Sequence, residues 1–172
     1  MEETLVVVKP DGVQRNLIGK ILSYYEADNL KITQMKLINT SKELIFEHYP
    51  EDEAYLLTIA EKGIKAGEPL DTREKQVAYG RSIVHGMRHY MTSGPVVAII
   101  LEGVDAVKRV RAITGFTDPT TAGKGTIRGD LGQDSIAIAN KEKRPCRNLI
   151  HASGTPYEAE KEIKLWFPER NN

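Results

Sequence analysis

The sequence predicts an α+β fold in a single domain spanning residues 1–172, a four-stranded antiparallel sheet covered by helices. Three observations carry that expectation. Thr4 to Val8 and Val96 to Leu101 are β-branched or apolar runs of strand length, the second of the kind covered on both faces. Segments with helical apolar spacing and recognisable start signals lie between the candidate strands. Strands and helices then interleave in a β-α-β-β-α-β order.

Taken in order, Thr4 to Val8 reads as a buried strand ended by a turn at Lys9-Pro10-Asp11-Gly12. Leu17, Ile18, Ile21, Leu22 and Tyr25 recur at helical spacing over roughly 16 to 28. Leu30 to Ile38 fits a second strand with one imperfect step. Thr40-Ser41-Lys42-Glu43 reads as a capping box, with Thr40 accepting from the Glu43 amide, and opens a helix that ends near His48-Tyr49-Pro50. His48 then reads as a cation at a helix C-terminus. Residues 51 to 90 are helical in pattern, divided by Gly63, Gly67 and Pro69, with a second box at Asp71-Thr72-Arg73-Glu74. The strand over Pro95 to Glu102 precedes a helix from about Asp105 to Ile113. Residues 114 to 134, rich in glycine, read as a long functional loop. Ser135 to Ala139 is the expected fourth strand. Thr155-Pro156-Tyr157-Glu158 supplies an N-cap, a proline at the first helical position and an early glutamate, so a last helix runs to about Trp166. The order suggests a ferredoxin-like α/β sandwich, and a parallel doubly wound sheet is the competing arrangement.

Lys plus Arg and Asp plus Glu are balanced at 24 each, which gives no net field for nucleic acid or an anionic membrane. Cys146 is the single cysteine, so no intrachain disulfide forms. No apolar run approaches the roughly 20 residues of a spanning helix, and no secretory signal is read at the start. A soluble cytoplasmic protein is expected.

The chemistry centres on Arg147-Asn148-Leu149-Ile150-His151-Ala152-Ser153-Gly154-Thr155. An imidazole that is neutral near pH 7 can attack and carry a transferred group, and small neighbours leave room for a bulky donor, so His151 is the candidate nucleophile. A carboxylate on one ring nitrogen would fix the tautomer that leaves the other free. Gly123-Lys124-Gly125 lacks the Ser or Thr and the preceding strand of a Walker A loop, and Gly123 to Arg128 is no dinucleotide fingerprint. Lys9, Arg111, Thr117 and Arg128 sit at element ends or in the long loop. Singly each reads as surface; with His151 they fit a polyphosphate held against a nucleophile. His85 and His89 are spaced for a metal on one helix face but lack a third ligand. Ser153 with His151 and Glu162 could form a hydrolase triad, but Ser153 lacks the glycine-flanked elbow.

Together these residues resemble the nucleoside diphosphate kinases. The resemblance rests on Lys9-Pro10-Asp11-Gly12-Val13, Ser93-Gly94-Pro95-Val96-Val97, Thr117-Asp118-Pro119, Gly125-Thr126-Ile127-Arg128-Gly129-Asp130 and Asn148-Leu149-Ile150-His151, in that order over nearly the whole chain. It implies the ferredoxin-like sandwich and a ping-pong transfer of the terminal phosphoryl group from a nucleoside triphosphate to a diphosphate through phosphohistidine at His151. It also implies that Lys9, Tyr49, Arg111, Thr117 and Arg128 hold phosphates and that Asn148 with Lys9 contacts the sugar. Glu162 would orient the histidine, with Ser153 beside it. Magnesium would arrive on the nucleotide, and a homo-oligomer is expected.

The chain departs from the family pattern at four places. His151-Ala152-Ser153-Gly154 stands where H-G-S-D is usual, and Asp118 where asparagine is common. A helical insertion falls at about 52–77, in the region that supplies the aromatic for base stacking, leaving Ile83, Met87 or Tyr79 as base contacts. The stretch between Asp130 and Asn148 is also longer than usual. The Ala152 and Gly154 departures keep a second function open, a nucleotide-binding regulator of the same fold with weak or no catalysis.

Overall fold

The computed structural model describes residues 1–65 and 67–171; Ala66, inside the expected insertion, and Asn172, at the end of the expected domain, lie outside the described residues. Along the chain run β1 (Glu2–Val8), α1 (Pro10–Gln14), α2 (Ile18–Ala27), β2 (Lys31–Ile38), α3 (Lys42–His48), α4 (Glu53–Lys65) and α5 (Arg73–Met91). They are followed by β3 (Val96–Gly103), α6 (Ala106–Thr114), α7 (Ile127–Leu131), α8 (Ile136–Lys141), β4 (Ile150–Ala152), α9 (Pro156–Trp166) and a closing 3-10 turn (Pro168–Asn171).

The strand order is β2-β3-β1-β4 and every adjacent pair is antiparallel. That is the ferredoxin-like sheet, and it excludes the parallel doubly wound alternative. Val6 to Val8 of β1 and Val96 to Leu101 of β3, in the middle of the sheet, are apolar without alternation because both faces are covered. Leu5 and Val7 of β1, with Val96, Ala98 and Ile100 of β3, face Ile45, Leu56, Val84, Ile163 and Trp166 from α3, α4, α5 and α9. Val6, Val8, Val97, Ile99 and Leu101 face Ile21, Tyr25, Val110 and Ile127 from α2, α6 and α7. Each large side chain so buried contributes about 1.5–3 kcal/mol. β2 is an edge strand, and its imperfect step is a register shift between Ile32 and Gln34.

Several local expectations need correction. Ser135 to Ala139 is not the fourth strand. Ser135 caps α8 by accepting from Ile138 N at 3.1 Å, and Asp118 Oδ2 accepts from Ile136 N, so two side chains satisfy free amides and favour a helix there. The fourth strand is the three-residue β4, in which His151 pairs with Val7. The turn expected at Lys9 to Gly12 is the entry to α1, with Pro10 in its first turn. Both early capping boxes shift by one residue. Ser41 caps α3, freeing Thr40 to donate to Met91 O, and Thr72 caps α5. The 114–134 loop contains the short helix α7, capped by Thr126.

Candidate active site

Opposed residues in an antiparallel pair share a face, so the Val7–His151 pairing puts the histidine ring on the side of the sheet where α3 ends and α9 packs. Glu162, on α9, meets it with Oε1 2.9 Å from His151 Nε2. The other carboxylate oxygen accepts from Ser153 Oγ at 2.6 Å. Burial alone would raise the Glu162 pKa, but His151, His48 and the Ser153 hydroxyl outweigh it and hold it at about 2. An ionised Glu162 only accepts, so Nε2 carries the ring proton and Nδ1 keeps its lone pair.

His48 completes this side. Its ring lies 4.4 Å from that of His151, edge to face at 81°. Burial, with the neighbouring His151, pushes its pKa down to about 3, and Trp166 Nε1 donates to its Nδ1 at 3.2 Å. His48 is therefore a neutral packing partner of the nucleophile, not the helix-end cation expected from sequence. His48, His151 and Glu162 offer ligand atoms within 4.8 Å of one another. Trp166 occupies His48 Nδ1, and His151 and Ser153 occupy Glu162, while His48 Nε2 is buried without a hydrogen-bond partner. His85 pairs with Glu51 at 2.8 Å. Among the described residues it does not join His89 in a three-ligand group.

Cations gather on the segment that leads into His151. Lys9 Nζ, at the end of β1, donates to Asn148 Oδ1 at 2.8 Å, and Asn148 Nδ2 donates to Thr117 O at 2.9 Å. Arg128, on α7, donates Nε to Asn148 O at 3.1 Å, Nη1 to Gly115 O at 3.0 Å and Nη2 to Ile150 O at 2.6 Å. These bonds tie the long loop to the segment that carries the nucleophile. Burial and Arg128 lower the Lys9 pKa to about 8. Burial and Arg111 lower that of Arg128 to about 10. Among the described residues none of these three cations forms an ion pair, although Asp11 lies close enough to oppose part of the Lys9 shift. Lys9 and Arg128, desolvated and mutually repelling, with exposed Arg111 adding to the positive charge on Arg128, suit a polyanion.

Tyr49, at the C-cap of α3, is buried with its ring centroid 6.4 Å from that of His151. Burial pushes its hydroxyl pKa upward, so it stays a donor. The structure thus brings together His151, Glu162, Ser153, Lys9, Asn148, Thr117, Arg128, Arg111 and Tyr49. Ile83 and Met87 of α5 are half-buried, packed against the core cluster that includes Tyr49, Ile163 and Trp166. Tyr79 packs over Gly63 at the α4–α5 contact, where a Cβ on that glycine would lie 2.6 Å from the tyrosine ring. A Cβ on Gly86 would lie 3.2 Å from Pro145 Cδ, so α5 touches the segment leading to Asn148. Two surface grooves, one beside the N-terminus and one between α4 and α5, contain none of these site residues.

The departures beside His151 have structural partners. Gly154 N donates to Glu158 Oε2 at 2.8 Å, and a Cβ on Gly154 would come within 2.6 Å of that oxygen. A glutamate one turn into α9 thus supplies a carboxylate at the helix start, while Thr155 caps Glu158 N at 3.1 Å. Asp118 is turned inward, accepting from Thr120 N, Thr120 Oγ1 and Ile136 N. Its charge braces the loop.

The family model described as nucleoside diphosphate kinase matches residues 2–56 and 73–172, leaving the distal part of α4 and the turn into α5 unmatched. A nucleoside diphosphate kinase of Pyrobaculum aerophilum is 44% identical over 176 residues, covering 98% of this chain and 96% of the relative. The crystal structure of an NDP kinase from Pyrobaculum aerophilum superposes with a TM-score of 0.91 at 41% identity, covering 98% of this chain and 97% of that one. A transition state mimic of nucleoside-diphosphate kinase from Borrelia burgdorferi, with bound vanadate and ADP, gives 0.78 at 30% identity over 96% of this chain and 86% of that one.

Proposed function

The chain belongs to the nucleoside diphosphate kinase family, and on that premise we propose how its own residues transfer the terminal phosphoryl group of a nucleoside triphosphate to a diphosphate. One observation carries the assignment: a histidine whose Nε2 is held by an ionised glutamate follows directly on the segment where Lys9 and Arg128 converge, and neither these cations nor Arg111 has an ion-pair partner among the described residues. Lys9, Arg111 and Arg128 bind the polyphosphate, with the Tyr49 and Thr117 hydroxyls donating to it. Asn148 and Lys9 take the sugar hydroxyls. The Nδ1 lone pair of His151 bonds to the terminal phosphorus as the bond from that phosphorus to its bridging oxygen breaks. The electron pair leaves with the diphosphate, and a second diphosphate reverses the step. Glu162 stabilises the positive charge that develops on the ring, and Ser153 fixes Glu162.

Nucleotide kinases of this kind need a divalent cation, which we take to be magnesium. The residues facing the phosphate site are cations and hydroxyls, and the nearby carboxylates of Asp11 and Asp118 are engaged by protein donors. That donor set fits a metal carried by the nucleotide's own phosphates, where it screens their charge. We assign base contact to Ile83 and Met87 on α5, which makes base selectivity weak. A purely regulatory nucleotide-binding role is disfavoured, because every expected phosphate ligand is present.

No helix among the described residues is long and apolar enough to cross a membrane, and we propose a cytoplasmic protein acting as one domain. We further propose a homo-oligomer, since the edge strand β2 exposes Met35 and Leu37 at 52% and 63%. Incubation with γ-labelled ATP tests the core assignment. Acid-labile, base-stable label on His151 that passes to a different diphosphate is expected; normal labelling of His151→Ala overturns it.

A further inference from the structure

Leu149 separates Asn148 from β4 and has a backbone φ of +69°, in the left-handed region that glycine favours. Ile150 N donates to Asn148 O at 2.8 Å, closing a three-residue turn around it, the rare positive-φ form of the γ-turn. Such a turn persists only where its surroundings over-determine it. Leu149 is fully buried, packed with Val8, Ile21 and Ile150, so glycine could take the backbone conformation only by leaving a cavity. Its amide donates to Asp11 Oδ2 at 3.2 Å, and its carbonyl accepts from Lys9 N at 2.8 Å. The other Asp11 oxygen accepts from the Tyr90 hydroxyl, and Asp11 is itself buried. Gly12 permits this approach, since a Cβ there would lie 2.7 Å from Val8 Cγ1 and 3.3 Å from Leu149 O.

We propose that Asp11 is a positioning residue: its carboxylate, braced by Tyr90, holds Leu149 in the left-handed turn that aims Asn148 at Lys9 and presents His151 to the phosphates. The inference rests on His151 being the nucleophile. The turn directs the Asn148 side chain to Lys9 and Thr117, and Arg128 reaches the carbonyls on both sides of it, Asn148 O and Ile150 O. A strained turn released at this point moves ligand and nucleophile together.

The test is the single-turnover rate of His151 phosphorylation by γ-labelled ATP in three variants. Asp11→Ala removes the acceptor, and we expect a loss of about 10- to 100-fold, as for release of one strained backbone residue. Asp11→Asn removes the charge but keeps the shape, with Oδ1 accepting from Leu149 N and the amide donating to the Tyr90 oxygen. It is expected to label within about threefold of the parent, because the turn survives. Tyr90→Phe leaves the carboxylate on Leu149 and is expected to fall between the two. Ile99→Val, a core change on β3, controls for lost stability and is expected to label at the parent rate. If Asp11→Asn fails as badly as Asp11→Ala, the carboxylate acts by charge, and the positioning role is overturned. Parent-like labelling of folded Asp11→Ala also overturns it. Absence of label on His151 in the parent protein instead overturns the nucleophile assignment.

Discussion

Replacing Glu162 by alanine separates preparation of the nucleophile from phosphate binding. Glu162 touches His151 and Ser153 and none of the three cations. Its side chain is 16% exposed, so solvent screens it little. A hydrogen bond to a charged group contributes about 1.5–3 kcal/mol. With about 1.4 kcal/mol per tenfold in rate, its loss slows His151 phosphorylation by about 10- to 150-fold. Glu162→Gln keeps a neutral acceptor of the same volume and, with about half the bond strength, slows the step by about 3- to 15-fold. Rapid-quench labelling with γ-labelled ATP gives the rate, and equilibrium binding of ADP gives the affinity. The rate is expected to fall while ADP affinity stays within about threefold. A parent-like rate in the alanine variant, or a loss confined to ADP affinity, refutes the division of labour between α9 and the cation cluster.

Burial and Arg128 set the Lys9 pKa at about 8, so free protein loses this cation as pH rises through 8. ADP binding measured from pH 7 to 9.5 is expected to weaken by at most about tenfold per pH unit above that point, and Lys9→Gln to be flat over the same range. His48 titrates at about 3 when folded and near its ordinary value when unfolded. The unfolded state therefore binds the extra proton first, and stability falls as pH drops from 6.5 towards 3. Thermal melts of His48→Phe are expected to lose this part of the acid dependence. Glu162, held at about 2, adds stability that is complete above its ordinary pKa and disappears between about 4.5 and 2. Glu162→Gln is expected to flatten that second window. Gly154→Ala pushes the Glu158 carboxylate from the start of α9 and is expected to lower stability by about 0.5–1 kcal/mol in denaturant titration.

What the sequence showed and what it hid follow from the range of the interactions. β1 and β3 are legible because a strand covered on both faces is apolar at every position. The start of α9 is legible because Thr155, Pro156 and Glu158 act within one turn. β4 was hidden. Three residues carry no periodicity, and its geometry is set by Val7 and by Asp11, 138 positions from the amide it accepts. Ser135 to Ala139 alternates like a strand, yet its helical amides are satisfied by Ser135 and by Asp118, which lies 18 positions from Ile136. Asp118, standing where asparagine is common in the family, braces that helix.

The cations were legible only as a set. Lys9, Arg111 and Arg128 look like surface charge one by one, and only the convergence of Lys9 and Arg128 on the segment from Asn148 to Ile150 removes those two from solvent. His48 departs from the sequence reading because its neutrality comes from burial, to which Trp166, 118 positions away, contributes, and from the neighbouring His151. Asp11 lay in a recognised motif, but its partner is a backbone amide, which side-chain patterns do not reveal.

The central claim is that His151 attacks through Nδ1 because Glu162 holds Nε2. Phosphorylating the protein with ATP and determining the phosphohistidine isomer by NMR of the ring tests this directly. Phosphate on Nδ1 of His151 is the predicted result. Phosphate on Nε2, or on any other residue, contradicts it.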